Sequence, residues 1–360
     1  MRTTISLAIL AAAALAAAAQ AAPLAKYAPP RAADGHPDLN GVWTNASVTQ
    51  LTRPPSVPSL VVDKAQADAL VKANPFMKLI EAEEGPSNPD DKLLDDGNSD
   101  RGYNTFWIDP GRSLANVKGE WRTSWIVEPA NGQMPLSAEG RKLAQADRMA
   151  RRAKLWQDPE ALPLEERCMI GFTGAGGPGM LNTIYNNNYQ IVQTRSAVVI
   201  VVEMVHDART VSLFPDAAAA RAHHAPVPRW LGDSVGWWDG DTLVVETVNV
   251  QPVQGRKGPI FLSEKAVVTE RFTRASAGQI FYEFKVDDPA YYTQPWRAEM
   301  SLNARKEQVY EYACHEGNYA MRGILGGARS QEAQGIVPTE GPGIFGTPIP
   351  PKKAGGGGGN

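Results

Sequence analysis

Over the second half of the chain, apolar and polar residues alternate with period two, the pattern of strands that bury one face. Around residues 230–248, WLGDSVGWWDGDTLVVETV, it predicts strands over 234–238 and 242–248 joined across Asp239-Gly240-Asp241. Asp-Gly supplies the positive φ of a tight hairpin, and Leu243, Val245 and Thr247 oppose Val244, Glu246 and Val248 along the second strand. Further strands are expected at 188–194, 197–206 and 210–214, then at 266–274, 279–286, 296–304 and 308–314. Connections are short and no helical period intervenes, so the fold class is mainly β, an antiparallel meander closing as a barrel.

Before residue 185 the pattern is mixed. Gly41-Val42-Trp43 predicts a first strand with Trp43 plugging one end of the barrel. A helix over 61–82 is interrupted at Asn74-Pro75, residues 83–102 form a polar acidic loop, and strands follow at 106–109 and 121–128. A basic helix spans 137–156. The glycine-rich stretch 171–179 lacks P-loop spacing and is expected to be a flexible rim loop.

Residues 1–21 have the basic start, apolar run and small-residue site of a secretory signal peptide, and 22–35 form an extended lead. A single barrel domain then covers 36–334 with a helical and loop insertion at 61–184, and 335–360 form a disordered tail. The expected location is therefore the periplasm or beyond, with no membrane span in the mature protein. A formal net charge of -3 offers no basic footprint for nucleic acid, so the expected partner is a small molecule, and oligomeric state is open. Only Cys168 and Cys314 are present; in an oxidising compartment they suggest one disulfide, the alternative being two free thiols.

The motifs HPDLNGVWT, YNNNYQIVQT, EMVHDAR, RWLGDSVGWWDGDTLVVET, ERFTR, YEF with VDDP, and YEYACHEGNY resemble those of an uncharacterised family of secreted bacterial proteins. The likeness covers nearly all of the mature chain and brings no settled reaction. Gly41-Val42-Trp43 and the late meander are also similar to calycin, lipocalin-like barrels, a fold that hosts carriers as well as lyases, hydratases and cyclases.

Two clusters carry candidate chemistry. His206, Asp207 and Arg209 end an apolar strand and combine a titratable base, a carboxylate and a fixed cation; the alternative is a structural turn with an Asp207–Arg209 ion pair. His315 and Glu316 follow Cys314, with His315 as general base or acid or as a structural histidine. Arg209 would stabilise an anionic intermediate, and Tyr312 or Trp238 would hold the substrate ring. Tyr185, Trp237, Trp238, Tyr310 and Tyr312 are the candidate ligand-binding rings, although Trp237 and Trp238 also suit one core and one edge position. His206, His315 and Glu316 with His223 or His224 lack metal-ligand spacing, so neither metal nor cofactor is expected. The expectation is an exported acid-base enzyme, a lyase or isomerase of a small hydrophobic or aromatic metabolite; the alternative is a non-catalytic periplasmic carrier.

Overall fold

The computed structural model describes residues 27–84, 108–153, 158–171, 174–252 and 259–336. After β1 (Gly41–Thr44), β2 (Val61–Val62) leads into α1 (Lys64–Ala73) and α2 (Pro75–Glu84). The two helices divide at Asn74, whose side chain accepts from Phe76 N at 2.9 Å while Pro75 takes a first-turn position that needs no N–H donor. Next come β3 (Ala115–Val117), β4 (Glu120–Arg122), β5 (Ile126–Glu128) and α3 (Ala138–Ala153). The expected continuous strand at 121–128 is two strands with different partners. β4 lies between β2 and β3 in a small sheet, whereas β5 pairs with a barrel strand.

The barrel comprises β1, β6 (Asn188–Gln193), β7 (Ala197–Val202), β8 (Ala208–Leu213), β9 (Asp233–Asp239), β10 (Thr242–Val248), β11 (Val267–Ser276), β12 (Gln279–Asp287) and β13 (Trp296–Arg305). β1 pairs with both β6 and β13, which closes the sheet at nine strands. It is mixed rather than purely antiparallel, because β8 and β9 run parallel. The reason lies in residues 214–232, which carry α4 (Ala217–Arg221) and return the chain to the end where β8 began. A parallel neighbour needs such a crossover, and this segment is long enough to supply it.

Alternation places Trp43, Tyr189, Phe272, Tyr282, Phe284 and Trp296 inside, each almost wholly buried in one core. At the end that carries the Asp239-Gly240-Asp241 turn, Trp43 Nε1 donates to Leu39 O at 3.0 Å and the Arg274 guanidinium lies 4.4 Å from its ring centroid. Trp43 thus closes the hairpin end of the barrel.

The glycine-rich stretch is not a rim loop. Its described part runs buried into the barrel from Ala175 to Leu181. Tyr189 OH donates to Ala175 O at 3.0 Å, and Met180 N donates to Tyr282 OH at 2.9 Å. Gly177 has φ +84°, and a Cβ there would sit 2.7 Å from Arg209 Nη1. Only glycine provides both the left-handed backbone and that approach.

The expected strand at 308–314 is absent. β13 already has β12 on one edge and β1 and β5 on the other, so this segment has no barrel edge to join. It crosses one end of the barrel as a strap and leads into α5 (Tyr319–Ala333), which the alternation did not reveal. No helix among the described residues is long and apolar enough to cross a membrane. The expected signal peptide, most of the acidic loop and nearly all of the tail lie outside the described residues.

Candidate acid-base site at the strapped end of the barrel

β7 ends at Val202, and the chain turns through a short 3-10 segment, Met204–His206, before β8 begins. Val205 and His206 both have positive φ, 58° and 44°. For a β-branched residue that conformation is costly, and consecutive left-handed residues persist only where the surroundings fix them. Glu203 provides part of that fixing. It is buried and accepts from Asn186 Nδ2 at 2.9 Å, Asn188 Nδ2 at 2.9 Å and Tyr310 N at 3.2 Å.

The strap is tied down next to this turn. Cys168 and Cys314 form a disulfide with a Cα separation of 5.7 Å. Tyr312 O lies 3.2 Å from His206 Nδ1, and Asn318 Nδ2 donates to Glu166 O at 3.0 Å. The half-buried phenols of Tyr185 and Tyr312 are neighbours here. Burial is the main cause that raises both pKa values.

Asp207 is half-buried in this setting, and its Oδ2 accepts from Gly171 N at 2.9 Å. Desolvation pushes its carboxyl up to about 6 from an ordinary 3.8, although the Gly171 N–H and nearby His206 pull the other way. The glycine-rich stretch separates it from Arg209, since a Cβ on Gly176 would meet Asp207 Oδ2 at 3.5 Å and one on Gly177 would meet Arg209.

Arg209 does not pair with Asp207. The two residues are two positions apart, and with the glycine-rich stretch between them Arg209 points into the barrel, where Nη1 and Nη2 donate to Glu270 at 2.6 and 2.9 Å. Both side chains are almost wholly inaccessible. Tyr282 OH donates to Glu270 Oε1 at 2.6 Å, and Gly179 N approaches the same oxygen at 3.4 Å. Burial alone would lower the Arg209 pKa, but Glu270 more than offsets that, so the guanidinium stays charged. It is a locked internal ion pair with its charge already neutralised.

The remaining candidates divide between the two ends. His315 and Glu316 are exposed in the turn after Cys314, at the strapped end, without a side-chain hydrogen bond to Asp207 or Arg209 among the described residues. Tyr310 is exposed on the strap. Trp237 and Trp238 belong to the opposite, hairpin end: Arg221 lies over the Trp237 ring at 5.4 Å, and the His36 ring stacks on Trp238 at 4.5 Å. Neither tryptophan accompanies Asp207. His224 Nδ1 contacts Asp233 at 3.0 Å and His223 stacks on Phe214 at 4.3 Å, and the described residues contain no group of three or more metal-ligating side chains.

Sequence reasoning missed Glu203, Glu270 and the inserted glycine stretch. A period-two signal exists for Glu270, which occupies an inward position between Val268 and Phe272. A charged residue at such a position implies an internal partner.

The fold and this end together define a closed nine-stranded mixed β-barrel, plugged by a glycine-rich segment and strapped by a disulfide. No protein-family model, curated protein or solved structure matched the chain.

Proposed function

We propose that the chain is an exported acid-base enzyme, a lyase or isomerase acting on a small hydrophobic or aromatic metabolite at the strapped end of the barrel. The observation that carries this reading is the juxtaposition, over a strained Val205–His206 backbone, of the half-buried Asp207 carboxylate, the His206 imidazole and the Tyr185–Tyr312 phenol pair. Export is supported by the signal-like pattern of residues 1–21 and by the disulfide. The packed aromatic interior and the neutralised Arg209 favour chemistry at the mouth over carriage inside the barrel.

In this reading Asp207 removes a proton from a carbon next to a substrate carbonyl. The electron pair moves to the carbonyl oxygen, and the Tyr312 hydroxyl donates to the resulting oxyanion. Return of the proton to a different carbon gives an isomer; loss of a β-leaving group gives a lyase product. A carboxylate pushed up to about 6 is a stronger base than an ordinary one and remains ionised at neutral pH.

The same carboxylate makes a separable stability prediction. Its folded-state pKa is raised, so its contribution is fully present below about pH 4 and disappears as pH rises through about 6. Asp207→Asn keeps an acceptor for Gly171 N and removes the buried charge. Its unfolding midpoint in urea is expected to exceed that of the wild type at pH 8, by on the order of 2 kcal/mol in stability, and to match it at pH 4. Turnover should fall at least about a hundredfold. Mass spectrometry of a host metabolite extract incubated with each protein supplies the activity readout. Equal conversion by both proteins contradicts the role of Asp207, as does a variant less stable at pH 8.

A further inference from the structure

We infer a second binding site, outside the barrel and independent of Asp207, that takes a small neutral polyhydroxy compound of monosaccharide size. Between the outer face of β13, the small sheet and the segment after β1 lies a cavity of about 250 Å³. It falls near the roughly 300 Å³ lower bound of small-molecule sites and far exceeds the space one water needs.

The chemistry of its wall selects the ligand. Asn45, Asn116, Asn303, Ser301, Trp121 and Trp125 line it, and no lining residue among the described ones is charged. An ion entering it would lose hydration without a countercharge. A purely apolar ligand fits no better. Asn45 and Ser301 are 1 and 2 % exposed, and Asn45 Oδ1 and Ser301 Oγ have no hydrogen-bond partner among the described residues. Covering them with hydrocarbon would leave them unpaired, at a cost that a hydroxyl removes.

The other polar groups are fixed in place by the fold. Asn45 Nδ2 donates to Met180 O and Tyr189 OH, both at 3.1 Å, which holds the amide while leaving Oδ1 to accept. Asn303 Oδ1 accepts from Gln279 Nε2 at 3.0 Å, leaving Nδ2 as a donor. Asn116 presents its side-chain amide without a partner among the described residues, while its backbone carbonyl is occupied by Gln279 Nε2 at 3.1 Å. Trp125 Nε1 is tied to Asn182 Oδ1 at 2.8 Å. The half-buried Trp121 ring, with Lys64 Nζ 5.4 Å from its centroid, forms part of the wall, and C–H groups of a pyranose or cyclitol pack on an indole of this kind. Preset donors and acceptors around two indoles suit hydroxyls, which both donate and accept, better than any singly functional group.

Intrinsic tryptophan fluorescence on the full chain provides the test, with D-glucose, D-galactose and myo-inositol as probes and D-glucuronate and cyclohexanol as charged and apolar controls. The expected result is a saturable change with at least one neutral polyol that exceeds both controls. Asn116→Ala and Trp121→Phe should each weaken it by about fivefold or more, with the unfolding midpoint retained. Calorimetric titration supplies the affinity if Trp121→Phe alters the optical signal itself. Asp207→Asn should bind as the wild type does, so failure here and failure of the acid-base reading are distinguishable. No saturable response to any polyol overturns the inference, as does equal binding of cyclohexanol or an affinity unchanged in both cavity variants.

Discussion

Replacing Arg209 by methionine is expected to destabilise the protein by about 3–5 kcal/mol, a large part of the stability of an ordinary domain. Among the described residues, the variant would leave Glu270 inside the barrel with only Tyr282 OH and Gly179 N as donors, neither of them charged. The cost arises from the stranded charge rather than from the intrinsic worth of the pair. Arg209→Met with Glu270→Leu should therefore recover much of the loss, since an apolar replacement removes both desolvation penalties. Urea unfolding of the two variants against the wild type provides the measurement. A single variant within about 1 kcal/mol of the wild type would contradict a buried pair, as would a double variant worse than the single one.

Reduction of the disulfide is expected to have an effect of similar size. Cys168 and Cys314 are 146 residues apart, and the chain-entropy model assigns about 5 kcal/mol to closing so long a loop. The consequences should extend beyond stability. The bond ties the strap to the segment leading into Gly171, which donates to Asp207, so its loss should loosen Tyr312 and the Gly171 contact together. The expected result is a lower unfolding midpoint in reductant and resistance to alkylation without it. Two thiols that alkylate freely in the native, unreduced protein would contradict the pairing.

Much of the barrel was legible because alternation is a local signal. The Asp239-Gly240-Asp241 turn directs Thr242 opposite Asp239, and the registers of β9 to β13 follow from the same inward positions. The parallel β8–β9 pair was not legible, since alternation looks the same for either direction and only the path of residues 214–232 decides it. Tyr310 and Tyr312 carried a strand pattern in a segment with no barrel edge left to join, a condition set by closure elsewhere.

The site was legible in part for the same reason. His206 and Asp207 could be singled out as groups at a strand end, and the cysteine pair as a tether. The alternative of an Asp207–Arg209 ion pair is replaced by an inward Arg209 bonded to Glu270, 61 residues later in the chain. No local pattern gives that partner. The glycine-rich stretch had a distinctive composition, but its place inside the barrel depends on Arg209, Tyr282 and Glu270, which come from separate strands. His315 and Glu316 looked like chemistry on type alone, and the turn after Cys314 leaves them exposed.

The proposed chemistry rests on Asp207 as a half-buried base at the strapped end. The most direct measurement is a carbon-detected NMR titration of the Asp207 carboxyl in the full-length, oxidised protein, assigned by comparison with Asp207→Asn. A midpoint near 6 is expected, because desolvation outweighs the Gly171 N–H and His206. A midpoint at the ordinary aspartate value would contradict it.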